Sequence, residues 1–323
     1  MAALARTVLR YSSRREENFD SFADHVIAGL GDDPKWLSAK YFYDSAGSEL
    51  FEEITRLPEY YPTRTELKIL EANASAMSAY IPLAAALVEF GTGSTKKARI
   101  LLDAAPQIAA YVPVDISAEF LAQEAAAVRR DVPNIAVLPV AADFTRDFEL
   151  PVQIRSRPRV GFFPGSTIGN FEPEDAAEFL RQAGRVLGNG STMIIGIDLI
   201  KDEAVLNAAY DDAAGVTAKF NLNVLTRMNR ELGGDFDLAA FRHRAFYNAA
   251  NHRIEMHLES LKVQTVHVAG RTFGFREGET IHTENSYKYT VESFRVLAES
   301  VGWRPVSVWT DENAYFSIHA LKI

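Results

Sequence analysis

The chain has 323 residues, 47% hydrophobic and 11% aromatic, enough for one large core or two smaller ones. Its net charge of −9, with no basic run longer than Lys96-Lys97 or Arg129-Arg130, speaks against a nucleic-acid partner, and the absence of cysteine excludes disulfides, thiolate catalysis and cysteine-held metal centres. No stretch approaches the ~20 consecutive apolar residues of a membrane span. Arg6, Arg10, Arg14 and Arg15 interrupt the N-terminus where a signal peptide would be continuously apolar, so a cytoplasmic protein without membrane attachment is expected.

Residues 1–64 read as helical stretches followed by an aromatic cluster of Tyr41, Phe42, Tyr43, Phe51, Tyr60 and Tyr61. Pro58 and Pro62 bracket the last two tyrosines and predict a fixed loop there. From 65 to 200 short apolar strands alternate with amphipathic helices, as in a doubly wound parallel sheet. ALVEF, YVPVDI, IAVLPVAADF, RVGFFPG and TMIIGIDLI read as the strands; KKARILLDAA, AEFLAQEAAAVRR and DAAEFLRQAGRVL read as the helices. From 201 to 288 the pattern changes: AVLNAAYDDAAGVTAKFNLNVLTRMNREL reads as helical, and RIEMHLESLKVQTVHV with RTFGFREGETIHTE as antiparallel strands. Residues 289–323 return to the sheet through the helix VESFRVLAESVG and the strands PVSVWT and YFSIHALKI, which lie close enough in sequence to pair antiparallel. The expected fold is α/β, with one domain from 65–200 and 289–323 and a second, α+β, from 1–64 and 201–288. A parallel sheet that ends in an antiparallel hairpin resembles that of class I methyltransferases.

Ligands of such sheets bind at the C-terminal strand ends. ALVEF runs into Gly91-Thr92-Gly93, where the backbone must turn sharply and approach a ligand without a Cβ in the way. The third glycine of the dinucleotide fingerprint is missing, with Lys96 in its place, and this argues against a nicotinamide-dependent oxidoreductase. Asp115 ends the next strand and suits either a ribose diol or a helix N-cap, with Ser117 competing for the cap. Asp143-Phe144 ends the third and suits an adenine, although Asp143 alone also suits a turn. Together the three ends point to an adenosyl cofactor. The seven histidines show no metal-binding spacing, His252 and His257 read as surface or interface residues, and no metal site is expected.

Longer motifs then become recognisable. KYFYDSAGSELFEEITRLPEYYPTRTE, EFGTGSTKK, GSTIGNFEP, AYDDAAGVTAKFNLNVLTRMNRELGGDFDL, RIEMHL and TENSYKY, in this order over nearly the whole chain, closely resemble the histidine-specific N-α-methyltransferases of ergothioneine biosynthesis. The resemblance implies S-adenosyl-L-methionine as cofactor, S-adenosyl-L-homocysteine as its product, and L-histidine with its mono- and dimethyl forms as substrates; a monomer is expected from the acidic, patch-poor composition. It implies cofactor contacts at Gly91, Lys97, Asp115, Asp143 and Phe144. Tyr43, Gly165 and Thr167 match catalytic positions, and Phe51, Tyr60, Asn170, Tyr210, Met256, Glu284 and Ser286 match substrate-binding ones. Asn170 and Tyr210 would hold the α-carboxylate, and Tyr60, Glu284 and Ser286 the imidazole. Lys96, Pro164 and Tyr287 depart from the family's usual residues. A different amino acid or related amine is the alternative acceptor, and a binding module without turnover a further one. Read without the resemblance, the aromatic cluster and Met256 are core packing, Glu284 is a solvated strand residue, and Asn170 suits a turn as well as a ligand.

Overall fold

The computed structural model is described for residues 21–323; the N-terminal arginines discussed above lie outside them. Contacts divide the chain into two compact units. One, the large-sheet unit, comprises Pro62–Gly169, Pro173–Ile200 and Tyr289–Ile323; the other, the small-sheet unit, comprises 21–61, Asn170–Glu172 and Lys201–Lys288. Among the described residues no helix is long and apolar enough to cross a membrane.

The large-sheet unit holds an eight-stranded sheet. Its order is Arg304–Thr310, Phe316–Lys322, Thr192–Asp198, Arg159–Phe163, Ala85–Phe90, Ile108–Asp115 and Ala136–Val137, with Val140–Ala141 also on Ile108–Asp115. The strands from Thr192–Asp198 onward pair in parallel, and Phe316–Lys322 enters antiparallel between Thr192–Asp198 and Arg304–Thr310. This is the doubly wound sheet with antiparallel C-terminal hairpin of the class I methyltransferase fold. Every residue of Ala85–Phe90 and Thr192–Asp198 is buried, because parallel strands are covered on both faces and need continuous apolar runs. The helices Lys96–Ala104 and Ala118–Asp131 bury Ala98, Leu101 and Leu102, and Leu121, Ala125 and Val128, at helical spacing, and the second packs on Ile108–Asp115.

Three local expectations change. The stretch IAVLPVAADF forms only two short pieces, Ala136–Val137 and Val140–Ala141, because Pro139 between them has no N–H to donate. Tyr61 lies not on a loop but at the start of the helix Tyr61–Ser78, where Pro62 occupies a first-turn position that needs no N–H donor. The long helical stretch after residue 203 is two helices, Glu203–Tyr210 and Val216–Leu232. The break is fixed by Gly215 at φ +69° and by Asp212, whose carboxylate accepts the N–H groups of Val216 and Thr217 at 2.9 and 2.8 Å.

The small-sheet unit has a four-stranded sheet ordered Lys35–Trp36, Thr280–Tyr287, Arg253–Ser260 and Phe241–Asn248, with a separate hairpin of Gln264–Val268 and Arg271–Phe275. Two of its strands, Phe241–Asn248 and Lys35–Trp36, the latter parallel to Thr280–Tyr287, were not apparent in the pattern. The register of Thr280–Tyr287 on Arg253–Ser260 slips between His282 and Glu284. Without that bulge His282 and Glu284 would share a face. With it His282 stands opposite His257, while Glu284 stands opposite Met256 and Ser286 opposite Ile254, on the other face.

Candidate functional site

In the large-sheet unit the candidate residues gather at strand ends. Gly91 follows Ala85–Phe90 at φ +72°, and a Cβ there would stand 3.1 Å from the Phe144 ring, so the position requires glycine twice over. Phe144 is itself held edge-on to Phe163 and Phe179, with centroids 5.6 and 5.9 Å away. Asp115 accepts the backbone N–H of Ser117 at 2.9 Å; burial raises its carboxyl, against the lowering pull of the Ser117 and Ile116 N–H groups. Ser117 holds the N-cap position of Ala118–Asp131 without a side-chain bond, which leaves the Asp115 carboxylate at the strand end. Asp143 makes the turn that its residue type allows: one oxygen accepts both the N–H and the hydroxyl of Thr145, at 2.9 and 2.5 Å.

The loop after Arg159–Phe163 carries Gly165 and Thr167. Gly165 at φ +83° and Ser166 at φ +56° are consecutive left-handed residues, and the second is costly for a side chain. Two features hold them. The Ser166 hydroxyl oxygen accepts the N–H of Asp198 at 2.8 Å, and the Gly165 N–H donates to both oxygens of Glu66 at 2.9 Å. Glu66, 1% exposed, also binds the Lys97 ammonium at 2.6 Å. Gly196 makes room for this carboxylate, since a Cβ there would come within 2.1 Å of it. Lys97 is thus joined to the Gly165 loop through a side chain that the motifs did not single out. Glu89, fully buried before the glycine turn, accepts from the Tyr111 hydroxyl; burial pushes its carboxyl up to about 7 against the pull of Tyr111 and Lys97.

In the small-sheet unit a row of rings brings four candidates together. Tyr43, which caps the turn Ala39–Phe42, lies 5.6 Å from Phe51 on the helix Ser45–Ile54; Phe51 lies 6.2 Å from Tyr60, and Tyr60 6.1 Å from Tyr210. The Tyr210 and Ser286 hydroxyls are 2.8 Å apart. Met256 is 1% exposed, and Glu284, directly opposite it, is partly exposed. The protein around Glu284 pushes its carboxyl up to about 7, with the Lys288 ammonium pulling it down. Asn170 ends the short turn Thr167–Asn170, two residues before Glu172. The Glu172 carboxylate accepts from Tyr287 at 2.5 Å, Asn285 at 2.9 Å and Arg253 at 3.2 Å, which ties segment 170–172 to the sheet face opposite Glu284. Tyr287, one of the departures from the family pattern, supplies the shortest of these bonds.

His252 is exposed, whereas His257 is half-buried and stacked on His282 at 4.6 Å. Glu255, His257 and His282 bring potential ligand atoms within 4.8 Å of one another. The Glu255 carboxylate is however already paired with the Arg253 guanidinium at 2.7 Å, a cation where a metal would have to compete. Sequence reading missed Glu66, Glu172, Lys288 and Ile116. Glu66 had a signal, a carboxylate on the stripe that buries Ile69, Leu70 and Met77. Ile116 also had one, being a large apolar side chain beside Asp115 that is 60% exposed.

A family described as histidine-specific, S-adenosylmethionine-dependent methyltransferases matches residues 22–323. The chain is 43% identical over 299 residues to the histidine N-alpha-methyltransferase of Mycobacterium tuberculosis, covering 91% of this chain and 92% of that one. It is 34% identical over 309 residues to ergothioneine biosynthesis protein 1 of Neurospora crassa, covering 90% of this chain and 33% of the longer fungal protein. A 4-dimethylallyltryptophan N-methyltransferase of Aspergillus fumigatus is 29% identical over 320 residues, with 94% of each chain covered. The chain belongs to the S-adenosylmethionine-dependent histidine-specific methyltransferase family.

Proposed function

We propose that this chain transfers three methyl groups in succession from S-adenosylmethionine to the α-amine of L-histidine, giving hercynine, the betaine that opens ergothioneine biosynthesis. The observation that carries the substrate half of this reading is the bulged strand Thr280–Tyr287, which turns Glu284 and Ser286 to one face, with Tyr210 bonded to Ser286. A carboxylate and a hydroxyl two residues apart suit the N–H and the lone pair of an imidazole. Leaving such groups unpaired against an apolar side chain is costly, so they discriminate by what they reject.

The residues at the large-sheet strand ends fit an adenosyl cofactor: a glycine turn with no room for a Cβ, a carboxylate at the next strand end for a ribose diol, and Phe144 with the exposed Ile116 as apolar surfaces for a ring. Asp115 would take the ribose hydroxyls, Asp143 the adenine amino group through its second oxygen, and Gly91 and Lys97 would contact the remainder. Bound S-adenosylmethionine supplies an electrophilic methyl carbon on a cationic sulfonium, open to in-line displacement.

The chain's own work is positioning. The amine must present a neutral lone pair about 3 to 3.5 Å from the methyl carbon, and holding it there supplies much of the acceleration. Asn170 and Tyr210 hold the α-carboxylate, and Tyr60, Glu284 and Ser286 hold the imidazole; Gly165 and Thr167, on their clamped loop, and Tyr43 are the catalytic positions. The rings of Tyr43, Phe51 and Tyr60 shelter the soft trimethylammonium product without a counterion. The monomeric state is part of this reading and rests on the acidic composition.

Purified protein incubated with S-adenosylmethionine and histidine, followed by mass spectrometry, tests the proposal. Histidine should gain one, two and then three methyl groups on its α-nitrogen. Unmodified histidine, or methylation on the imidazole, contradicts it.

A further inference from the structure

Tyr210, assigned above to the substrate's carboxylate, is the last residue of the helix Glu203–Tyr210. Its hydroxyl lies 2.8 Å from that of Ser286 and accepts from the Lys288 ammonium at 3.0 Å. A helix of eight residues is marginal by itself, and the carbonyls of its last turn find no partner within it. Contacts from outside the helix must therefore hold its end.

The strand Phe241–Asn248 supplies two of them. It is the edge of its sheet, where main-chain groups face away from any strand partner, and the Tyr247 N–H donates to Asn207 Oδ1 at 2.7 Å. Three residues further along the helix, the Tyr210 carbonyl oxygen lies 2.9 Å from His243 Nε2. On the other side of the ring, Nδ1 lies 2.9 Å from the side-chain nitrogen of the wholly buried Asn221, which is also 3.0 Å from the His257 carbonyl oxygen.

Proton counting fixes every direction in this chain. A carbonyl only accepts, so the Asn221 atom facing His257 is the amide nitrogen, and its second N–H donates to His243 Nδ1. Nδ1 is then the ring's acceptor, and Nε2 carries the proton that the Tyr210 carbonyl takes. A protonated ring would turn an N–H against the Asn221 donor. Burial holds the His243 imidazole below its ordinary pKa, against the pull of the Tyr210 carbonyl, Asp211 and Asp212, and so keeps it neutral at neutral pH.

We propose that His243 is a positioning residue for substrate binding: oriented by Asn221, it caps the helix Glu203–Tyr210 and so sets where the Tyr210 side chain meets the substrate's carboxylate. The inference rests on the histidine reading above. Its claim is that a bond to the Tyr210 main chain, made by a side chain that does not touch the substrate, controls affinity.

Titration calorimetry of free histidine against the full chain in the presence of S-adenosylhomocysteine, wild type beside H243N, H243A, H243Q and N221A, tests it. An asparagine side chain ends where Nδ1 stands and cannot reach the Tyr210 carbonyl, whereas glutamine carries its amide nitrogen to the place of Nε2. H243N and H243A should weaken histidine roughly tenfold, and H243Q should stay within about threefold of wild type. S-adenosylhomocysteine should bind all the proteins alike. If H243N does not fold, H243A carries the same expectation; if H243Q does not, N221A decides, since it leaves the ring in place without the donor that orients it and should weaken histidine about fivefold. Histidine binding within about threefold of wild type in H243N or H243A, equal losses in H243N and H243Q, or wild-type binding in N221A overturns the proposal. A wild type that binds no histidine overturns the functional reading itself.

Discussion

The two units present their candidate groups by different means. In the large-sheet unit the backbone does most of it: glycine turns at φ +72° and +83° and carboxylates at strand ends, all following from where parallel strands stop. In the small-sheet unit side chains do it. A bulge turns Glu284 over, Lys288 donates to two hydroxyls, and Glu172 holds the segment bearing Asn170 through three donors. A site written in backbone geometry is sensitive to adding a single carbon, whereas one written in side-chain networks is sensitive to removing a single charge.

The largest effect should come from adding that carbon. Gly91→Ala needs both a left-handed alanine and displacement of the Phe144 ring, and should weaken S-adenosylhomocysteine at least about a hundredfold in calorimetry. Histidine affinity without cofactor should stay near wild type, and equal loss of both ligands would erase the contrast between the units. The mirror-image variant is Glu284→Gln, which should weaken histidine by tens-fold, roughly 2 kcal/mol, while leaving S-adenosylhomocysteine unchanged.

The pH dependence sharpens the same pair. Glu284 titrates at about 7 instead of its ordinary 4.5 because burial disfavours the charged form, so it is protonated below that pH and ionised above it. The ionised form is the one that accepts an imidazole N–H. Histidine affinity should therefore rise roughly tenfold from pH 6 to pH 8, and Glu284→Gln should flatten the rise to the part owed to the ligand's own imidazole. An identical profile in the variant would remove Glu284 from the account.

Glu172→Ala comes next. It strips Arg253, Asn285 and Tyr287 of a shared acceptor and should cost about 2 kcal/mol in chemical denaturation, with a raised KM for histidine through Asn170. A lower stability with KM unchanged would confine Glu172 to holding the fold. The smallest effect belongs to a variant remote in kind from both sites. Thr290 caps the helix Val291–Ser300 in a reciprocal pair with Ser293, and Thr290→Ala should cost about 1 kcal/mol of stability with both affinities intact.

The contrast also explains what could be read in advance. Gly91, Asp115 and Asp143 stand where an apolar run gives way to turn residues, a pattern that needs no knowledge of partners. The antiparallel C-terminal hairpin was legible for a similar reason, because so short a connection permits no other pairing. Pairing length was less so: Pro139 divides what hydrophobicity alone reads as one strand. Networks were least legible. Glu66 meets Gly165 across 99 residues and Glu172 meets Tyr287 across 115, and no local periodicity encodes such pairs. Lys288 left the faintest trace, its period-two spacing with Glu284 and Ser286, which acquires meaning only once the bulge at residue 283 sets which face they share.

The central claim is that the Glu284 and Ser286 face selects histidine, and competition tests it most directly. The protein is given limiting S-adenosylmethionine and an equimolar mixture of the free amino acids, and the products are identified by mass spectrometry. The account predicts methylated histidine as the dominant product, ending in the trimethyl form. Methylation of tryptophan or another amino acid in its place would contradict it.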